Sequence, residues 1–249
     1  MSREDFLERM RAQISSGIYP VGARLPSERE LAEAHGISRS VVREGLRTLA
    51  EQRYIVVQAG RGAFVKAPSS GDAAEMFAGM LSRQSVTPRH VIHARRLLEP
   101  EIARLATLAR PDVARLSGIL STISEQTPLL RKVEADLAFH LELARASGNP
   151  VLEAMFASIS AFTTEIMLRS LADSAVADRA LPQHDEIVAA ITAGDAERAH
   201  RLMTQHLSVA EELYGADLDR PLEQVTAASG GFVPDLDAIA ERVIARGIG

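Results

Sequence analysis

Within "EADLAFHLELA", residues 134–144, Asp136 and His140 share a helical stripe with Val133, Leu137, Leu141 and Ala144. At that spacing the stripe packs inward, so a carboxylate and an imidazole stand where leucines belong. An unpaired buried carboxylate is too costly, and the pair must meet a counter-charge, a hydrogen-bond network, cavity water or a metal ion. Two more histidines repeat the oddity: His184 begins the stripe Ile187, Val188, Ile191, and His206 lies on Ala199, Met203, Ala210, Leu213. A single histidine so placed is ordinarily a core residue bonded to a backbone carbonyl, but three with an aspartate suggest more. Asp136 and His140, at i and i+4, offer two ligands from one helix. His184 and His206 fit successive antiparallel helices joined at "AGD", residues 193–195, so all four side chains can converge in a bundle core. His35, His90, His93 and His200 read as surface or ordinary helix residues.

A second constellation is basic. Arg39, Arg43 and Arg47 stand at i, i+4 and i+8, opposite Val42, Leu46 and Leu49. A helix with one apolar and one arginine stripe suits a major-groove reader; a solvated helix face is the bland alternative. The elements around it favour the reader. Ser27 with Glu30 forms a capping box for a helix with apolar face Leu31, Ala32 and Ala34, Gly36 ends it, and Ser38 caps the arginine-bearing helix. The strands "YIVVQ" and "AFVKA" follow, joined at Ala59, Gly60, Arg61 and Gly62, a hairpin wing whose Arg61 can enter a minor groove.

The 249 residues are 46% hydrophobic, enough for a sizeable core. No apolar run reaches the ~20 residues of a membrane span, and the charged start "MSREDFLERM" lacks a signal peptide's apolar segment, so a cytoplasmic location is expected. The absence of cysteine leaves histidine and carboxylate as the strong ligand types. The net charge of -5 conceals an asymmetry: residues 1–66 carry 11 Lys+Arg against 8 Asp+Glu, and the remainder 17 against 25. Different partners for the two parts follow. "VKAPSSGDA", residues 65–73, breaks all periodicity, giving expected boundaries of 1–67 for the first domain, 68–74 for a linker and 75–220 for a helical domain. Residues 221–249 read as a Gly/Ser hinge and a short helix of unassigned role. From Glu75 to Tyr214 about six or seven helices are expected, with breaks at residues 85–88, 109–112, 125–128, 147–150, 177–183 and 193–195.

"RLPSERELAEAHGISRSVVREGLRTLAEQRYI" resembles the winged helix-turn-helix of the GntR family of bacterial transcription regulators, over roughly residues 5–66. The resemblance implies three helices plus a β-hairpin wing, and DNA contacts from Arg29, Ser38, Arg39, Ser40, Arg43, Gly60 and Arg61. The chain departs from some relatives at Ala59, where they carry a histidine. "DLAFH", "SGNPVL", "HDEIVAAITAGDAERAHRLMTQHL" and "ARRLLEPEIARLA" are similar to the all-α antiparallel helical-bundle effector domain, called FCD, of the FadR-like branch. That likeness implies a divalent metal ion on Asp136, His140, His184 and His206. Such a set leaves coordination positions open and does not choose among zinc, nickel, manganese and cobalt. It also implies an arginine for an effector carboxylate: Arg95 by the register of "ARRLLEP", Arg96 as second choice, with Glu99 able to orient it. Asn149 is a pocket candidate that a capping role explains equally well.

The function implied is a homodimeric regulator, a repressor, that binds double-stranded operator DNA and responds to a small carboxylate such as a hydroxy acid or sugar acid, with no membrane partner. A metal-dependent hydrolase using the His/Asp site is the alternative from another class. A purely structural metal is the third.

Overall fold

Two reciprocal caps start the chain's first helices. Ser2 and Asp5 open α1 (Arg3–Ser15), and Ser27 and Glu30 open α2 (Glu28–His35), each hydroxyl accepting from the later residue's N–H while that residue's carboxylate accepts in return. Gly36 ends α2 in the left-handed conformation, and Ser38 caps α3 (Arg39–Glu51). The computed structural model describes residues 1–68, 70–81, 83–228, 239–240 and 242–243. Its contacts divide the chain into Met1–Asp72 and Ala73–Gly249.

In the first unit, Phe6, Leu7 and Met10 of α1 meet Leu31 of α2 and Val42, Leu46 and Leu49 of α3. Phe6 presses so closely on α3 that a Cβ at Gly45 would lie 2.6 Å from its ring, so the crossing requires glycine there. β1 (Ile55–Gln58) pairs antiparallel with β2 (Gly62–Val65), Ile55 opposite Val65 and Gln58 opposite Gly62. The wing has a third edge that the strand pattern did not reveal. Arg24 bridges Phe64, and the Leu25 N–H donates to the Ala63 carbonyl at 2.8 Å.

The described elements of the second unit are all helices. Residues 70–74, expected as linker, begin α4 (Ser70–Leu81), a helix that starts in the last residues of the first unit and continues into the second; alanines and a first-turn Asp72 favour helix over coil. There follow α5 (Pro88–Ala109), α6 (Ala114–Leu120), α7 (Leu129–Ala146), α8 (Pro150–Ser158), α9 (Ser160–Ala172), α10 (Ser174–Ala193) and α11 (Ala196–Tyr214). That makes eight among the described residues, α4 to α11, against about six or seven expected. Two breaks went unread. α8 and α9 meet at 62°, and Asp173 caps α10 by accepting from the Ala175 and Val176 N–H groups. One expected break is absent: α10 runs straight through residues 177–183. Pro182 removes a backbone bond there, but Val176, Ala180, His184, Ile187 and Ile191 are buried along the helix, and that apolar burial outweighs one lost bond.

α11 packs on α5 and α10, and α7 packs on α9, α5 and α6. Ile102, Leu137, Phe139, Phe156, Met167, Ile187 and Met203 form the shared core. α12 (Leu222–Ala228) occupies the start of the expected hinge, whose remainder lies outside the described residues. Of the expected last helix, Ile239, Ala240 and Val243 are buried with the bundle core, and Arg242 reaches Glu134 at 3.0 Å. No single helix among the described residues is long and apolar enough to cross a membrane.

Candidate metal centre and nucleic-acid interface

The inward stripes of α7, α10 and α11 bring His140, His184 and His206 together. One ring nitrogen from each lies within 4.8 Å of the others, a group able to hold a metal ion. Asp136, one turn before His140, joins them, its Oδ1 3.2 Å from His184 Nε2 and 3.8 Å from His140 Nε2. All four side chains are buried. His184 Nε2 faces His140 Nε2 at 3.4 Å, and Phe139 packs against both rings at centroid distances of 4.6 and 5.4 Å.

Protonation follows from the surroundings. His140 Nδ1 lies 2.5 Å from Glu99 Oε2, off the ideal angle but at a separation that a carboxylate and a bare lone pair would not tolerate. The ring therefore carries its proton toward Glu99 and turns the Nε2 lone pair toward the cluster. Burial, with His140 and Arg95 adding to it, pushes His184 well below the ordinary histidine range, and burial does the same to His206 with His184 as the next cause. Burial also pushes the Asp136 carboxyl up, against the pull of His140 and Arg95. Among the described residues the buried Asp136 Oδ1, His184 Nδ1 and His206 Nδ1 have no hydrogen-bond partner, and His140 Nδ1 has only the off-angle approach to Glu99. Two imidazoles that burial keeps neutral, His184 and His206, with His140 and a buried Asp136 carboxyl beside them, are a donor set that a divalent cation satisfies, so the residues fit the metal that the FCD likeness implies.

Arg95 and Glu99 form a buried pair, Nε to Oε1 at 2.5 Å and Nη2 to Oε2 at 3.4 Å. Arg95 is thus deep in the bundle, 3% exposed. Arg96 points elsewhere and pairs with Glu211. Asn149 uses its side-chain oxygen to cap α8, accepting from Val151 and Leu152 at 3.0 and 3.3 Å, which is the capping alternative. The sequence reading missed Glu99 as the partner of His140, although Arg95, Glu99 and Ile102 share one inward stripe. It also missed Thr163 and Ser170 on α9. Thr107, Thr164 and Thr192 return their hydroxyls to the carbonyl four residues earlier, but the buried Thr163 Oγ1 and Ser170 Oγ have no partner among the described residues.

The basic constellation lies in the first unit, and Arg29, Ser38, Arg39, Ser40, Arg43, Gly60 and Arg61 are all exposed. Ser38 Oγ accepts from the Val41 N–H and sits 2.8 Å from Ser40 Oγ at the start of α3. Arg29 pairs with Glu33 and Arg47 with Glu51, each within its own helix, whereas Arg43 reaches across to Glu28 of α2. Arg39 has no ion-pair partner among the described residues. Gly60 takes φ +71° at the wing tip, and the Arg61 guanidinium lies 5.8 Å from the Phe64 ring centroid. The arrangement presents a helix N-terminus, an arginine face and a basic wing on one compact unit.

Comparison with known proteins gives both units a place. Residues 3–65 match the family described as bacterial regulatory proteins, gntR family, and residues 90–209 match the FCD domain. The chain is similar to the Exu regulon transcriptional regulator of Escherichia coli (strain K12), 31% identical over 206 residues that cover 80% of this chain and 78% of the relative. The galactonate operon transcriptional repressor of the same organism is 29% identical over 197 residues, covering 76% of this chain and 86% of its own. Among solved structures, a Streptococcus agalactiae GntR matches with TM-score 0.61 and 27% identity, covering 84% of this chain and 99% of that one.

Proposed function

The chain belongs to the gntR family of bacterial regulatory proteins, a transcription regulator rather than an enzyme, and from that premise we propose a cytoplasmic homodimeric repressor released from operator DNA by a sugar or hydroxy acid bound at a metal site. The observation that carries the effector part is the buried convergence of Asp136, His140, His184 and His206, with Asp136 Oδ1 and the His184 and His206 Nδ1 atoms lacking a hydrogen-bond partner among the described residues. When bound, a divalent ion there supplies a Lewis-acidic position for a carboxylate or hydroxyl oxygen.

Asp136 and the three imidazoles would hold the ion. Glu99 keeps the His140 proton on Nδ1 so that Nε2 remains a ligand, and Arg95 keeps Glu99 ionised. The outer edge of the Arg95 guanidinium is the natural second anchor for an effector carboxylate. The hydroxyls of Thr163 and Ser170, on one face of α9 and without partners, suit a ligand bearing several hydroxyls of its own. The relative named as the galactonate operon transcriptional repressor supports the same ligand class. In the first unit, Ser38, Arg39, Ser40 and Arg43 read base edges and phosphates, with Arg29, Gly60 and Arg61 flanking them. Effector binding shifts the population toward a state whose two reading heads no longer match the half-sites.

The test uses a duplex selected from a random pool by the wild-type protein. Galactonate, a hexuronate and lactate are titrated against the complex, with and without chelator and with His184→Ala. One of the acids should release wild-type protein, and both chelation and His184→Ala should abolish release while leaving binding to the duplex intact. Metal analysis should find a divalent ion in the wild type and none in the variant. A metal-free wild-type protein that still responds overturns the metal site; chelation that only unfolds the helical unit assigns the ion a structural role.

A further inference from the structure

Arg43 is the one arginine of the α3 face that is braced from another helix among the described residues. Its Nε lies 3.1 and 3.2 Å from the two Glu28 oxygens, and Nη2 lies 2.9 Å from Oε2. Glu28 is the first residue of α2, fixed just after the Ser27 cap and at a helix N-terminus, where a carboxylate is favoured. Its carboxyl is held below the usual range, mainly by the bonds from Arg43. A guanidinium has two forked edges, and Glu28 occupies the side edge made of Nε and Nη2. The end edge, Nη1 with the second Nη2 hydrogen, stays free and has the fork that guanine O6 and N7 accept.

An acidic side chain on this face carries a penalty, because it faces the phosphates of any duplex that docks. Simple phosphate attraction gives no reason for its presence there. Prior ordering of Arg43 does: a long side chain held in one rotamer loses less freedom when it meets its base, and a held fork fits one base edge better than another.

We propose that Glu28 is a positioning and specificity-determining residue, which presents Arg43 end-on to a guanine and lowers affinity for all other DNA. This rests on the reading of α3 as the recognition helix. Glu28 makes no base contact of its own in this scheme.

The experiment compares the selected duplex with its scrambled counterpart for wild type, Glu28→Ala, Arg43→Ala and the double variant, by fluorescence anisotropy at fixed salt. Glu28→Ala should bind the scrambled duplex more tightly, while the ratio of selected to scrambled affinity falls roughly 3- to 10-fold, the size of one ordered side chain. In the Arg43→Ala background, Glu28→Ala should leave the ratio unchanged. A ratio equal to wild type in Glu28→Ala, with both affinities raised alike, makes Glu28 a plain repulsive charge and overturns the proposal. So does an equal fall in the Arg43→Ala background, which would place its action elsewhere. If Arg43→Ala itself keeps the wild-type ratio, the reading of α3 fails and takes this inference with it.

Discussion

Arg95→Met removes a charge from the bundle while keeping a side chain of similar length. Glu99 is then left 2% exposed with its carboxylate touching His140 alone. Burial by itself raises the Glu99 carboxyl; Arg95, and after it His140, reverse this and hold it at about 2 against 4.5 unperturbed. A depressed carboxyl stabilises the fold above its unfolded value, so the whole contribution is present at pH 7 and is lost as pH falls from 4.5 toward about 2. That drop corresponds to about 3 kcal/mol at neutral pH. The independent expectation for breaking a buried pair by deleting one partner is ~3–5 kcal/mol, and the two agree. Urea unfolding of chelator-treated protein, so that metal linkage does not enter, should show the helical unit of Arg95→Met losing about 3 kcal/mol with an unchanged denaturant slope. Adding Glu99→Gln to that variant should restore much of the loss, because no buried charge remains. If Arg95→Met unfolds within about 0.5 kcal/mol of wild type, the pair is not the electrostatic element described; if the double variant is no more stable than Arg95→Met, an uncompensated carboxylate is not the cause.

Three further outcomes are expected. Arg39→Ala, which removes the α3 arginine without an ion-pair partner among the described residues, should cost ~1–3 kcal/mol of affinity for the selected duplex and leave thermal unfolding unchanged; undiminished affinity removes Arg39 from the reading face. Tyr214 is buried, with the Arg169 guanidinium 4.5 Å from its ring centroid, and burial pushes its phenol up although Arg169 opposes this. A raised folded value means that its stabilisation is whole below the unfolded pKa of about 10 and fades above it by up to ~1.4 kcal/mol per pH unit. Tyr214→Phe should therefore show a flatter alkaline limb than wild type, and identical limbs from pH 9 to 11 would reject this. Thr163→Val, which keeps the shape of the side chain and removes the unpaired hydroxyl, should keep metal binding and stability but raise the concentration of sugar acid needed to release the duplex; an unaltered response gives that hydroxyl no part in the ligand site.

What could be read from the chain is what depends on neighbours three or four residues apart. The Ser27–Glu30 cap, the two faces of α3, the wing turn and the inward placing of Asp136, His140, His184 and His206 are all relations within one helix or hairpin. Proline and glycine gave most of the breaks, but not the bend at Ile159, which has no such marker, nor the passage of α10 through Pro182, where buried contacts from other helices outweigh the local preference. Asp173 was a cap that an aspartate before an alanine-rich helix could have suggested.

The sequence by itself therefore determined which side chains face the core and which face solvent, because helical and strand periods fix that locally. Only the tertiary structure decided who meets whom. Glu99 and His140 are far apart in the chain, on α5 and α7, and so are Arg24 and Phe64 in the wing. Glu28 finds Arg43 because α2 and α3 cross at a particular angle. Three histidines pointing inward on α7, α10 and α11 become one cluster only when those helices pack at the right heights, which depends on how the shared core, with Phe139, Phe156, Met167 and Ile187 in it, fills its space. Periodicity gives a direction for each side chain, but a site needs positions to within an ångström, and those come from how the whole core fills its space.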